Sequence, residues 1–432
     1  MNEKHFIGPE AIIEKKKKYI MPCLAHFYQN PQEMVKGSMQ YLWDSNGKKY
    51  LDCYAGVSVM NCGHCNPEII EPMKAQIDEL QHVCNIYLTE NFVNLAERLA
   101  AVTPGDLQKC FFCSTGSEAT EGALLLASIY TGNNEIIALR NGLHGRTKLG
   151  MSVTGIQMWR TDENPVGGIH FAPNPYCYRC PLGKKRETCD LACANMVEDV
   201  IQTSTAGHPG AFIAETIQGN AGIVVPPEGY FQRVKEILAQ HNTLFIADEV
   251  QTGFGRTGRM FAIENFGVVP DIMAVAKALG NGAPISAFIS TAEIADTYTR
   301  PGASTLGGNP VSTTAGLAVL DYIEKHDLCQ NASERGEQLR AGLREIQKRH
   351  AIIGDIRGLG LMTGAEFVHA DKSPAAAELD DVLETLKDRG FIIGKNGVAR
   401  NVMAFQPPLV ITAEDIDNVL NALEMVLTEK KL

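Results

Sequence analysis

The chain has 432 residues, of which 45% are apolar and 21% charged, and its formal net charge is −11. That length suits one large domain with a smaller companion, and the acidic balance argues against nucleic acid or an anionic membrane as a main partner. No apolar stretch approaches the ~18 residues of a membrane span, and the N-terminus MNEKHFIGPEAIIEKKKKYI lacks a signal-peptide core, so a cytoplasmic location is expected.

In chain order, residues 1 to about 35 read as a helix and a connection, with Lys15 to Lys18 on a solvated helix face. MQYLWDSNGKKYLDC alternates apolar and polar residues around Asn46-Gly47, a hairpin signal. Strands and helices then alternate. KCFFCS, NEIIALRNG, GAFIAETI, TLFIADEV, DIMAVAK and SAFISTAEI read as strands; SEATEGALLLASIYTG and PPEGYFQRVKEILAQHN read as helices. This rhythm predicts a mostly parallel sheet covered by helices. From about residue 311 the texture changes to long amphipathic helices, then short strands in IGDIRGLGLMTGAEF and FIIGKNG, then a last helix in AEDIDNVLNALEMVLTEK. The expected organisation is an N-terminal segment (1–60) that joins a small α+β domain (313–432), with a large α/β domain (61–312) between them. Neither internal repeats nor low-complexity tracts are apparent.

Twelve cysteines without an export signal read as free thiols or ligands rather than a disulfide framework. Cys177, Cys180, Cys189 and Cys193 form a C-x2-C-x8-C-x3-C pattern, which suits a lid-like loop with reduced thiols. A structural zinc site at these four is the alternative. Cys62 and Cys65, and Cys110 and Cys113, read as core or loop residues.

Ligands of open parallel sheets bind beyond the carboxyl ends of the strands, so strand-end residues carry the chemistry. Lys277 ends the apolar run PDIMAVAK, either facing solvent or chemically consumed as a nucleophile or imine former. Asp248 and Glu249 follow LFIA on opposite faces; one suits a cationic ring nitrogen, the other an arginine. Gly116 and Ser117 open a helix that Ser114 or Thr115 can cap, and its first amides suit a phosphate if it is more than an ordinary capped helix. His144 and Arg146 lie in the glycine-rich turn GLHGRTKLG, where Arg146 either clamps a carboxylate or makes a surface ion pair. Gly253, Gly255 and Gly258 match G-x-G-x-x-G, but the acidic pair precedes them and no helix pattern follows, which argues against a dinucleotide site. A lysine, a carboxylate for a ring nitrogen and a phosphate-binding helix start together meet the demands of pyridoxal 5'-phosphate.

The motifs AGVSVMNCGH, STGSEATEGAL, HGRT, ADEVQTGFGRTG, PDIMAVAKALGNGAPISA, STLGGNP, IRGLGLMTGAEF and PPLVIT resemble those of class III aminotransferases of pyridoxal-phosphate fold type I, from about residue 35 to the C-terminus. The group includes 4-aminobutyrate, ornithine and type 2 alanine–glyoxylate aminotransferases. By that resemblance Lys277 is the Schiff-base lysine and Asp248 the partner of the pyridinium nitrogen. Gly116 and Ser117 bind the phosphate, Leu143 and His144 lie at the cofactor, Val250 packs under its ring and Gln251 approaches its hydroxyl. Thr305 reaches the phosphate of a neighbouring subunit, which implies a homodimer. Val57, Arg146, Glu215, Asn220 and Arg400 are expected around the substrate. Three positions depart from the best-known members. Leu143 replaces an aromatic ring cover, Asn220 a switch glutamate, and Ala404 an arginine for the α-carboxylate; Arg400 is the nearest arginine to that last place. Loss of glutamate and arginine together avoids an unpaired charge. The resemblance thus implies transfer of the amino group of an ω- or β-amino acid to a 2-oxo acid. An ornithine or diamine enzyme, an aminomutase or racemase, and a non-enzymatic binding protein are the alternatives.

Overall fold

The computed structural model describes residues 6–432. The N-terminal helix Pro9–Tyr19 leads to three antiparallel strands, β1 (Met34–Ser38), β2 (Tyr41–Asp44) and β3 (Lys49–Asp52). The expected hairpin is β2–β3. Asp44 Oδ1 accepts from the amides of Asn46 and Lys48, both at 2.9 Å, and Gly47 takes φ +80° to close the turn.

A seven-stranded sheet forms the centre, from β4 (Lys109–Cys113), β5 (Ile136–Leu139), β6 (Ile169–Ala172), β7 (Ala211–Glu215), β8 (Leu244–Asp248), β9 (Ile272–Val275) and β10 (Ser286–Ser290). Its order is β4-β10-β9-β8-β7-β5-β6. Strands β5 to β9 pair in parallel, while β10 is antiparallel to both β9 and β4. The segment between β9 and β10 is only a short 3-10 turn and a glycine-rich loop, too little for a crossover helix, so the chain must reverse. Strands β7, β8 and β9 are buried at every residue, as expected for a sheet covered on both faces.

Helix Gly116–Thr131 leaves β4 through a capping box, in which the Thr115 hydroxyl accepts from Glu118 N and the Glu118 carboxylate accepts from Thr115 N. Helix Pro310–Lys325 starts on an Asn309 cap with proline at its first position, and helix Leu328–Gln347 follows. The C-terminal part holds β11 (Ile353–Leu359), β12 (Met362–Phe367), β13 (Phe391–Ile392), β14 (Gly394–Asn396), β15 (Val402–Phe405) and helix Ala413–Lys430. Strands β11, β12, β15 and β14 form an antiparallel sheet in that order, while β13 pairs in parallel with β3, so N-terminal and C-terminal residues share one sheet.

The G-x-G-x-x-G stretch has a packing role. Gly255 and Gly258 take φ of +86° and +88°, and an added Cβ would come within 2.9 Å of Leu409 and 2.4 Å of Ser333. Between them the fully buried Arg256 donates to the carbonyls of Leu361 and Pro407, at 2.9 and 2.6 Å. The glycines thus let the large sheet's loop press against the C-terminal part. No helix among the described residues is long and apolar enough to cross a membrane.

Candidate functional site

Strands β4, β5, β8 and β9 point their carboxyl ends at one cavity of about 390 Å3. The β4 end supplies Ser114, Gly116, Ser117 and Thr120; the loop after β5 supplies Leu143, His144, Gly145 and Arg146; β8 and the turn after it supply Asp248 and Val250; the segment after β9 supplies Lys277 and Gly282. A larger cavity of about 490 Å3 borders the same helix but includes none of the β8 or β9 residues.

Asp248 is buried at the end of β8. Its Oδ1 accepts from Val250 N at 3.1 Å, and its Oδ2 lies 2.7 Å from His144 Nδ1. Burial alone would lower the basicity of His144, but the hydrogen bond and charge of Asp248, with Glu215 beyond, raise its pKa above the ordinary value. Thr154 Oγ1 holds the His144 amide at 3.1 Å. Asp248 lines the cavity and Glu249 does not, and no arginine among the described residues meets Glu249. It accepts from Thr216 Oγ1 at 2.8 Å, Ile263 N at 2.7 Å, Ala262 N at 3.1 Å and the Thr252 hydroxyl. Four donors satisfy this buried carboxylate without a counter-charge.

Lys277 stands two residues beyond β9 at the start of the short turn Lys277–Gly280, with φ +47°. A left-handed lysine is strained, and such strain gathers at functional sites. Burial pulls its pKa below the ordinary lysine value, against the charges of Asp248 and Glu215. The loop behind it is anchored by Asn281, whose side chain bonds Cys62 N at 3.0 Å and Gly63 O at 2.9 Å.

Gly116 and Ser117 form the first turn of their helix, where amides lack intrahelical partners. Gly116 is in close contact with Val250, whose Cγ1 lies 2.9 Å from an added Cβ. The Ser117 hydroxyl accepts from Arg146 N at 3.1 Å, which joins the two loops. The Arg146 side chain is exposed, lines the cavity and makes no ion pair among the described residues.

Other expected residues lie outside the cavity wall. Glu215 sits behind Leu143, accepting from the amides of Leu143 at 2.8 Å and Gly219 at 2.9 Å. Asn220 accepts from Gly397 N through its carbonyl at 3.0 Å. Ala404 is buried in an apolar cluster with Ile217, Ile223 and Met362. Arg400 takes φ +58° and makes no ion pair among the described residues. Thr305 is exposed. Val57 belongs to a left-handed turn over Ala55–Ser58, two residues before Val59, which lines the cavity. Thr120 and Trp159 also line it and were not anticipated. Thr120 was legible in principle, one helical turn beyond Gly116 and Ser117. Trp159, in the short turn Gln157–Trp159, carried no local signal.

The four cysteines of the 177–193 loop do border one small, separate cavity. Among the described residues, however, no three His, Cys, Asp or Glu side chains are grouped so as to hold a metal. The loop is held by Tyr176 and Arg179, which both bond Glu366, with the Arg357 guanidinium 4.7 Å from the Tyr176 ring centre.

These groups fit pyridoxal phosphate. The Gln251 amide is buried with neither its oxygen nor its nitrogen partnered, and the Thr120 hydroxyl and His144 Nε2 are likewise unpartnered. Buried polar atoms without partners call for a ligand or water.

Comparison with known proteins agrees. Residues 25–427 match the family "Aminotransferase class-III". The alanine–glyoxylate aminotransferase 2 homolog 2 of Arabidopsis thaliana, named mitochondrial, is 43% identical over 98% of this chain and 89% of its own length. A leucine/methionine racemase of Thermococcus litoralis is 38% identical, covering 97% of this chain and 96% of the relative. An aminotransferase of Bacillus anthracis superposes with a TM-score of 0.91 at 30% identity, over 97% of this chain and 98% of its own. An omega transaminase of Pseudomonas jessenii in complex with PMP superposes with a TM-score of 0.88 at 28% identity, over 97% and 98%. A family match over most of the chain, and relatives this similar along nearly all of it, place the protein: it belongs to the class III aminotransferases, pyridoxal-phosphate-dependent enzymes of fold type I.

Proposed function

We propose that the enzyme moves the amino group of an ω- or β-amino acid, such as β-alanine, 4-aminobutyrate, 3-aminoisobutyrate or taurine, to a 2-oxo acid such as pyruvate, glyoxylate or 2-oxoglutarate. The observation that carries this reading is Arg146, a guanidinium without an ion pair among the described residues, on the wall of the cavity that holds Lys277 and Asp248. Among the described residues no second arginine lines that cavity, which favours donors with a single acid group and a small acceptor such as pyruvate.

Pyridoxal phosphate, when bound, supplies the electron sink that stabilises negative charge at the substrate carbon. The chain's residues do the rest. Gly116, Ser117 and Thr120 would hold the phosphate, Asp248 a protonated ring nitrogen, Gln251 the ring hydroxyl, and Leu143 and Val250 the two ring faces. Lys277 Nζ would carry the cofactor covalently and then, its ammonium destabilised by burial, accept and return a proton at the substrate carbon. Arg146 would orient the acid group bidentately.

We also propose a homodimer in which Thr305 completes the partner's phosphate site. Exposed Ile86, Tyr87, Leu88 and Leu306 support it, being 71%, 63%, 101% and 58% accessible, because apolar surface of this kind is normally covered by a partner. Sedimentation of a monomer that retains full activity would remove this part.

A donor–acceptor matrix read by mass spectrometry tests the reaction. Nitrogen-15 from an ω-amino acid is expected in the amino acid formed from the oxo acid. The racemase relative motivates a second reading, racemisation or amino migration within one molecule. Retention of the label in the donor, with inversion or migration, would establish that reading instead.

A further inference from the structure

Among the described residues lining the catalytic cavity, Trp159 is the one Phe, Trp or Tyr side chain. It is 46% exposed, so it meets both the cavity and solvent at the mouth. Its backbone is fixed there. Trp159 N donates to Ile156 O at 3.1 Å, the next residue, Arg160, lies 5.6 Å from the Phe171 ring centre on β6, and Thr161 Oγ1 reaches Met151 Sδ at 3.3 Å. Lys148, two residues after Arg146, bonds both Asp162 and the carbonyl of Asn164. The segment that presents the indole is therefore tied back to the turn that presents Arg146. Leu143, by contrast, offers only an aliphatic surface on the same wall.

We propose that Trp159 is a specificity-determining residue, whose indole packs against the methylene chain of a substrate while the acid group engages Arg146. Each methylene removed from water strengthens binding about fourfold, so a two- or three-carbon linker gives the indole a measurable role. The favoured class is an unbranched aliphatic amino acid with amine and acid at opposite ends. This inference rests on the reading of Arg146 as the acid-group anchor.

The experiment uses the cofactor-loaded enzyme. The chain has two tryptophans, and Trp43 lies on the β2 hairpin outside the cavity wall, so the Trp43→Phe variant reports Trp159 alone. Saturation with butyrate, which carries the acid group and chain but no amine, is expected to shield Trp159 from acrylamide quenching, and Arg146→Ala is expected to abolish that shielding. In steady state, Trp159→Ala is expected to raise KM for 4-aminobutyrate about tenfold with kcat nearly unchanged, and Trp159→Phe to restore most of the loss. An unaltered KM in Trp159→Ala, or quenching indifferent to butyrate while Arg146→Ala still impairs acidic donors, overturns the role of Trp159 and leaves that of Arg146 standing. If Arg146→Ala is silent in both assays, the underlying reading of the site fails with it.

Discussion

Asp248 Oδ2 and His144 Nδ1 lie 2.7 Å apart, and both residues are almost fully shielded from water. The contact makes Nδ1 the donor and leaves Nε2 without a partner. With the Val250 amide on its other oxygen, Asp248 is oriented by two bonds before any ligand arrives. Because Asp248 raises the folded pKa of His144, the pair adds stability below the ordinary histidine value and loses it as pH rises through the raised one. Asp248→Asn in the cofactor-free protein should therefore lower the melting temperature more at about pH 5.5 than at about pH 8.5. An equal loss at both would contradict the coupling.

Glu215 should impose a second pH dependence. Burial is the main cause that raises its carboxyl from 4.5 to about 7, with the charge of His144 and two amide bonds offsetting only part. The folded state then binds this proton more tightly than the unfolded chain, so stability declines between about pH 4.5 and 7. Glu215→Gln, which cannot titrate, should flatten that part of the melting-temperature profile; a slope as steep as in the parent protein would refute the assignment.

Arg146→Ala should lower kcat/KM for β-alanine and 4-aminobutyrate about 10- to 100-fold, the worth of a charge-assisted hydrogen bond of about 1.5–3 kcal/mol. Amines without an acid group should lose far less. Comparing the two donor classes in one assay separates an anchor from a structural role.

Arg357 bridges parts of the chain distant in sequence. Its guanidinium donates to Gly222 O and Ile223 O, bonds Asp355 at 2.7 Å and lies 2.9 Å from Glu366. Arg357→Met would leave the nearly buried Glu366 short of one counter-charge and free the loop that carries Asn220. The expected cost is about 3–5 kcal/mol in urea unfolding.

Gly219 leaves no room for a side chain, since an added Cβ would lie 1.5 Å from Gln251 Oε1. Gly219→Ala should displace that amide and weaken retention of pyridoxal phosphate while the fold persists. Cofactor absorbance after dialysis checks this, and undiminished retention would exclude a role for Gln251 at the ring.

Much of this protein was legible without coordinates, because the informative signals are local. The continuous apolar runs ending at Asp248 and just before Lys277 marked buried parallel strands, and Gly116 and Ser117 after a Ser114 or Thr115 cap marked a helix start suited to an anion. Resemblance of the quoted motifs supplied the family, while Lys277, Asp248 and the helix start at Gly116 and Ser117 already met the demands of the cofactor. Only the tertiary structure decided what depends on contacts far apart in the chain. It reversed β10 because the loop after Lys277 is too short to cross over. It satisfied Glu249 with hydroxyls and amides instead of an arginine, gathered the four loop cysteines around a small cavity of their own, and brought Trp159 to a cavity built from other strands. Periodicity and capping act over a few residues and leave a readable trace in sequence; the partner of a buried charge, or the wall of a cavity, is chosen by the packing of elements a hundred residues apart.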